Sequence, residues 1–263
     1  MVLLSRMKSD PSEPIQATLH ANHPLFDLIE EAYRIFDYPK PSSTGVCEGC
    51  CMDREIEADF FNPSIRRLPL HYIRDWYSGA YDPNGVPKET WAYLLPRLLE
   101  VLASGENVSD MGLEVSLDRF GTGNPENWSK TEWRILDNFQ RIFLREMIAQ
   151  KRECLDDTIC MFRLAGWPLE SLLDQIESAP DPALALRLWN DWCSGAGLDS
   201  IWITAFWEKP DNTTVFDFYT SRNLYDRMEA LALNDETEQE VAAKASAVAS
   251  VIEVYAEWSL TPS

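Results

Sequence analysis

Apolar residues recur at the spacing of an α-helix in one segment after another of this 263-residue chain. The clearest segment follows Ser129, where Trp133, Leu136 and later apolar residues repeat at steps of three and four up to about Gln150. Ser129 and Glu132 also have the spacing of a capping box, in which each side chain binds the other residue's backbone N–H at the start of a helix. The pattern predicts a long amphipathic helix here.

Prolines and glycines divide the chain into about ten such segments joined by short loops, which predicts an all-α, multi-helix bundle. Pro87 begins one of the strongest segments, which runs through Leu102. Pro96 lies inside it, where a proline removes a backbone donor at a cost of ~3 kcal/mol in an ordinary helix interior. We therefore expect either a kink at Leu95 or a second helix that starts near Pro96.

One stretch departs from the helical pattern. Residues 199–207 are rich in Ile, Trp and Thr, which favour strands, and a weaker run of this kind follows at residues 213–216. A turn through Lys209, Pro210 and Asn212 would join the two runs. The sequence therefore predicts one small β-hairpin near residues 199–216 in an otherwise helical protein.

The distribution of charge suggests how the chain is organised. Residues 1–21 lack periodicity, which indicates a poorly ordered tail, and residues 22–263 are expected to form a single compact helical domain. Residues 1–152 hold 17 Lys and Arg against 23 Asp and Glu, a formal charge of −6, whereas residues 153–263 hold 6 against 20, a charge of −14. This change indicates two halves divided near residue 150.

The total formal charge of −20 bears on possible partners. Nucleic acids and anionic membranes reward basic surfaces, so neither is expected as a partner, whereas a basic protein would be attracted. Acidity can also serve solubility alone. No apolar run approaches the ~18 residues of a membrane span, and the three-residue apolar patch near the start is too short for a secretory signal. We therefore expect a cytoplasmic protein.

Familiar catalytic motifs are absent from the sequence. It has no Gly-x-Ser-x-Gly elbow, no phosphate-binding P-loop, no His-Glu-x-x-His and only three histidines. Carboxylate pairs such as Asp156-Asp157 and Glu30-Glu31 are plentiful, and among 43 acidic residues most are expected to lie on a solvated face. The sequence therefore predicts a protein that is not an enzyme.

Three of the six cysteines are clustered, and they are the alternative starting point for function. Two thiolates at Cys-x-x-Cys spacing can chelate zinc, but a structural site needs four ligands and no second pair of this kind occurs. A fourth ligand would have to be a histidine, or Cys154 and Cys160 from further along the chain. The simpler interpretation is that the thiols are free, partly buried apolar groups and that no cofactor is bound. The candidate zinc ligands are Cys47, Cys50, Cys51 and His71.

The region from Cys47 to about Phe143 resembles a widespread set of uncharacterised bacterial proteins. The shared pattern is a CxxCM-like start, a Leu-Pro segment, a Leu-Pro-Arg-x-Leu-Glu helix, and a Trp followed by a Glu. This chain departs from it by inserting Cys51 before Met52. The resemblance implies a helical bacterial protein and carries no known activity. The matching positions are Cys47, Cys50, Leu68-Pro69, Leu95-Pro96-Arg97, Leu99-Glu100, Trp128 and Glu132.

Three hypotheses of function follow. The first is an immunity-type inhibitor that neutralises a basic toxin, such as a nuclease, through an acidic surface that also carries aromatic residues. The second is a small zinc protein or metalloenzyme in which Arg97 binds an anionic substrate. The third is an adaptor for another cytosolic protein. For the first hypothesis the candidate partner-binding residues are Asp191, Trp192, Asp199, Trp202, Trp207, Glu208, Asp211 and Asp217.

Overall fold

The computed structural model describes residues 18–46, 52–79, 85–150, 154–195 and 199–256. Within these ranges it contains α-helices and short 3-10 turns and no β-strand, so the predicted all-α class is confirmed. No helix among them is both long enough and apolar enough to span a bilayer. The helices are α1 Phe26–Ile35, α2 Arg54–Asp59, α3 Leu70–Ser78, α4 Lys88–Ala103, α5 Lys130–Ala149, α6 Leu155–Leu164, α7 Leu169–Glu177, α8 Asp181–Trp192, α9 Asp211–Tyr219, α10 Arg222–Leu233 and α11 Gln239–Tyr255.

Helix α4 lies at the centre of the first half of the fold. Every residue from Leu94 to Ala103 is buried, and α1 packs against both α4 and α5. The helix includes Pro96 in its interior, so the alternative of a second helix starting there was wrong, and the alternative of a kink at Leu95 stays a prediction. Burial on all sides explains this result, because packing of the apolar residues offsets the one backbone donor that proline lacks.

The Leu-Pro-Arg-x-Leu-Glu segment places an ion pair inside this core. Nη1 of Arg97 lies 2.7 Å from Oε2 of Glu100, and the hydroxyl of Tyr33 donates to the same oxygen at 2.7 Å. Arg97 also donates from Nε to the carbonyl of Leu68 at 3.2 Å. Burial and the neighbouring Glu100 charge raise the pKa of Tyr33 well above its usual value. Arg97 therefore lies in the core rather than on a surface that an anionic substrate could reach.

The capping box at the start of α5 is confirmed. The Ser129 N–H donates to Oε2 of Glu132 at 2.8 Å, and the Glu132 N–H donates to Oγ of Ser129 at 3.3 Å. Tyr38 donates to the other oxygen of Glu132 at 2.6 Å. Burial alone would raise the pKa of Glu132, but the hydrogen bonds from Tyr38 and Ser129 outweigh it and lower that pKa. Burial and the same contact raise the pKa of Tyr38 to about 12.

Helix α5 also connects the two halves of the chain, because α6, α7 and α8 all pack against it. Helices α10 and α11 pack against each other and against α8. The buried apolar side chains of the described residues form one connected cluster from Leu25 to Ile252. The division into a tail and a single domain stays a prediction, and residues 1–17 lie outside the described ranges.

The predicted hairpin near residues 199–216 is wrong. Residues 200–208 are irregular, and Asp211 begins α9, so the second predicted strand is helical. Side chains of two other elements bind Thr204, in the middle of the first predicted strand. The backbone N–H of Thr204 donates to Asp156 and its hydroxyl donates to Glu114. Tertiary contacts have overridden the local strand propensity.

Candidate functional site

The irregular segment 199–210 between α8 and α9, here called the aromatic loop, carries the most distinctive exposed side chains in the acidic half. Trp202 is 52% exposed and Phe206 is 39% exposed, whereas Trp207 points inward and is buried. Large aromatic side chains are enriched at protein-binding surfaces.

Asp156, in the first turn of α6, anchors the loop from beneath. Its Oδ2 accepts a hydrogen bond from the backbone N–H of Thr204 at 2.7 Å and another from Nε1 of Trp207 at 2.9 Å. The Thr204 hydroxyl donates to Oε1 of Glu114 at 2.5 Å. Asp156 is 1% exposed and Glu114 is also buried, so these contacts are shielded from water. Residues 204–207 are therefore fixed to the core by hydrogen bonds to two buried carboxyl groups.

Two further contacts hold the ends of the loop. Nε1 of Trp202 donates to Oδ1 of Asp157 at 3.3 Å, so the exposed indole lies across the start of α6. At the other end, Nε of Arg163 donates to Oδ2 of Asp211 in an ion pair that joins α6 to α9. Because the loop is held at both ends and in the middle, its exposed aromatic residues are presented in a defined arrangement.

Burial raises the pKa of Asp156 to about 7. The neighbouring charge of Asp157 also raises this pKa, while the hydrogen bonds from Thr204 and Trp207 lower it. Oδ1 of Asp156 has no hydrogen-bond partner among the described residues. A proton can therefore occupy Oδ1 while Oδ2 keeps the hydrogen bonds from the loop.

A third exposed apolar residue, Met111, lies near the loop. The Phe206 ring packs beside Gly112, because a Cβ built at that glycine would lie 3.6 Å from the ring. The adjacent residue, Met111, is 53% exposed. Exposed acids Asp199 and Glu208 lie in the loop itself, and Asp110 precedes Met111. We define the aromatic site as Met111, Trp202 and Phe206 with the acids Asp110, Asp157, Asp199 and Glu208.

Several of the partner-binding residues proposed from sequence lie elsewhere. Trp192 and Trp207 are buried, and Trp192 packs edge-on against Tyr219 with ring centroids 5.2 Å apart. The carboxylate of Asp191 is bound inside the protein by Arg187. These three residues belong to the core rather than to a binding surface. The exposed members of the set are Asp199, Trp202, Glu208 and Asp217, and Asp211 is partly buried in its ion pair.

The proposed zinc ligands are only partly covered by the structure. Cys47, Cys50 and Cys51 lie outside the described residues, and His71 is exposed on α3 with its ring edge-on to Tyr72. Across the described ranges, no group of three or more His, Cys, Asp or Glu side chains is placed to hold a metal ion. Cys160 is buried in α6, and burial raises the pKa of its thiol well above the usual value.

Sequence reasoning missed Asp156, Glu114, Met111 and Phe206. Asp156 was expected on a solvated face, and the structure corrects this expectation because the residue is almost fully buried. A local signal existed: Asp156 precedes the buried Ile159 and Cys160 by three and four residues, the spacing of one helix face.

Comparison with protein-family models, with curated proteins and with solved structures finds no match.

Proposed function

We propose that this chain is an acidic binding protein of the immunity-inhibitor type, which occupies a basic protein toxin, such as a nuclease, and thereby blocks it. The observation that carries the proposal is the aromatic site itself. Trp202 and Phe206 are exposed on a loop that Asp156 and Asp157 hold by hydrogen bonds, with acidic residues around them.

The geometry suits protein recognition. Aromatic side chains supply large contact areas with few rotatable bonds, and a loop already fixed by hydrogen bonds loses little conformational entropy when a partner binds. Trp and Tyr are the residue types most often found as energetic hot spots of interfaces, usually surrounded by polar residues that exclude water. Trp202 has this setting, because its indole is hydrogen-bonded to Asp157 and Asp199 precedes it in the loop.

The charge of the chain supplies the second part of the mechanism. Residues 153–263 carry a formal charge of −14, which attracts a basic partner over distance and raises the rate of encounter. Exposed acids such as Glu208 and Asp217 would face the basic surface that a nuclease uses for nucleic acid. The aromatic side chains would then set the lifetime of the complex, because most affinity differences arise in the dissociation rate.

A capture experiment with matched variants tests the proposal. Tagged wild-type protein, a Trp202→Ala, Phe206→Ala double variant and a Leu233→Ala, Val254→Ala control are incubated with an extract of the native host at low salt. Leu233 and Val254 are 75% and 78% exposed, so the control removes apolar surface from α10 and α11 instead of from the loop. Bound protein is eluted with rising salt. Truncation of one hot-spot aromatic costs ~2 kcal/mol or more, so the double variant should lose its partner.

The expected result is one stoichiometric basic protein that the wild type and the control retain and that elutes as salt rises. Its purified activity, for example degradation of plasmid DNA, should be blocked by the wild type and not by the double variant. Capture that is equal in the double variant, or that salt does not weaken, would contradict the proposal. Metal analysis of the same eluate tests the zinc alternative, which requires about one zinc ion per chain, bound through Cys47, Cys50, Cys51 and His71.

A further inference from the structure

A second surface feature is a groove between α5, α7 and the start of α8, here called the α5–α7 groove. Its volume is about 620 Å³, and Leu144 and Ile148 of α5 form a buried apolar floor. Ala179, just before α8, and Ala183, in its first turn, extend the apolar lining. Binding sites for small organic molecules have volumes of roughly 300–1,000 Å³ and are mostly apolar with a few polar groups. The groove meets these requirements, and none of its lining residues belongs to the aromatic site.

The groove presents two basic side chains in a protein that is acidic overall. Arg141 and Arg145 line it one helical turn apart on α5. Asp174, on the facing α7, is the one acidic residue among the described residues of the lining, and its side chain is exposed. Two like charges at this spacing repel each other, and the neighbouring carboxylates of Asp137 and Glu146 offset part of this repulsion. Two exposed guanidinium groups beside an apolar floor supply the hydrogen-bond donors that an anionic head group requires.

Both arginines are available for a ligand. Arg141 pairs with Asp137 at 3.0 Å, but its side chain is 64% exposed. The nearest carboxylate oxygen of Glu146 lies 3.8 Å from Arg145, whose side chain is 70% exposed. A guanidinium has five N–H donors, so one carboxylate contact leaves further donors for an incoming anion.

We propose that the α5–α7 groove binds a small organic anion with an apolar body and a carboxylate head. The apolar body lies on Leu144, Ile148 and Ala183, and Arg141 and Arg145 bind the head. The carboxylate of Asp174 on the opposite wall disfavours a doubly charged head such as a phosphate monoester, and this favours a monoanion. The side chains of Ser171 and Gln175 add polar groups at the rim.

The test uses 11-(dansylamino)undecanoate, a fluorescent amphipathic carboxylate, and its methyl ester, which has the same apolar body without the charge. The wild type should bind the acid saturably. Its affinity for the ester should be lower by a factor of about ten or more, because the charge-assisted contacts are lost. An Arg141→Gln, Arg145→Gln variant should bind the acid as weakly as the wild type binds the ester. Its affinity for the ester should not change.

An Arg134→Gln, Arg222→Gln variant is the matched control. It also removes two positive charges, but from exposed, ion-paired arginines outside the groove. It should bind the acid within about twofold of the wild type, because distant surface charges are screened by salt. An Ala183→Phe variant fills the groove with both arginines intact and should reduce binding of acid and ester alike. Equal wild-type affinity for acid and ester, unchanged binding in the arginine variant, or no saturable binding would overturn the proposal.

Discussion

The indole N–H of Trp207 donates a hydrogen bond to Oδ2 of Asp156 at 2.9 Å, and both residues are buried. This contact joins the inner side of the aromatic loop to the first turn of α6, 51 residues earlier in the chain. The same oxygen accepts the backbone N–H of Thr204, so one carboxylate fixes two points of the loop. The outward positions of Trp202 and Phe206 therefore depend on a buried acid.

Stability should fall as pH rises through the range in which Asp156 ionises. Its folded-state pKa is about 7, against 3.8 for an ordinary aspartic acid, so the folded state binds this proton more tightly than the unfolded state does. The stabilisation is complete below about pH 4, declines between pH 4 and 7, and is absent above pH 7. The full change is on the order of 4 kcal/mol in the free energy of unfolding.

Asp156→Asn isolates this effect. The amide oxygen can accept the two hydrogen bonds that Oδ2 accepts, and the amide group carries no charge at any pH. We expect the stability of the variant relative to wild type to rise from pH 4 to pH 7, as measured by urea unfolding at several pH values. Asp217→Asn removes an exposed acid from α9 and serves as the control. Parallel profiles for Asp156→Asn and the wild type would count against a buried titrating carboxylate.

Local patterns were sufficient to predict most helices. The capping box of Ser129 and Glu132 marked the start of α5, and the structure has the helix at Lys130–Ala149. The apolar segment predicted from Pro87 through Leu102 likewise matches α4, Lys88–Ala103. These features depend on residues within one or two helical turns, so they can be seen in the sequence.

The site was less predictable because its contacts are long-range. Trp202 was identified from its type, but Phe206 was not, and Trp207 was placed on the surface although it is buried. The orientation of these rings depends on Asp156 and Glu114, which lie 48 and 90 residues before Thr204. No local sequence pattern predicts which distant carboxylates will accept hydrogen bonds from a loop. The same cause explains the wrong hairpin at residues 199–216.

Gly112→Ala should disturb the aromatic site more than a comparable glycine substitution elsewhere. Gly112 has φ +136°, and a Cβ there would lie 2.5 Å from Oε2 of Glu114, closer than atoms can approach. We expect a loss of stability above ~1 kcal/mol, together with displacement of Glu114 and Phe206. Gly85→Ala is the control, because Gly85 also has positive φ, +79°, but no atom within 4 Å of a new Cβ. Urea unfolding and partner affinity should both change more for Gly112→Ala.

Cys160 should resist alkylation in the folded protein. It is fully buried, and burial together with the charges of Asp156 and Glu114 raises the pKa of its thiol. Cys193 is partly buried, with a thiol pKa raised to about 11 by burial and by Asp199. We expect iodoacetamide at pH 8 to label Cys193 slowly and Cys160 only after denaturation, as followed by peptide mass spectrometry. Labelling of Cys160 at the rate of Cys193 would contradict the burial of α6.

Arg187→Met should destabilise the protein severely, because Arg187 and Asp191 form a buried ion pair that also holds three helices together. Arg187 donates to the carbonyl of Gln150 at 2.6 Å, just past the end of α5, and Asp191 accepts the backbone N–H of Leu155 at 3.1 Å. Both side chains are almost fully buried, at 0% and 4% exposure. Removal of one partner leaves an uncompensated buried charge, which costs ~3–5 kcal/mol.

The matched control is Arg222→Met. Arg222 pairs with Asp226 at the same four-residue spacing, but on an exposed face of α10. Exposed pairs contribute ~0.3–0.5 kcal/mol, so the control should unfold at nearly the wild-type urea concentration. If Arg187→Met does not fold, the Arg187→Met, Asp191→Leu double variant distinguishes the causes. It removes both charges and should recover part of the lost stability. Equal unfolding midpoints for Arg187→Met and Arg222→Met would show that the buried pair does not hold α5, α6 and α8 together.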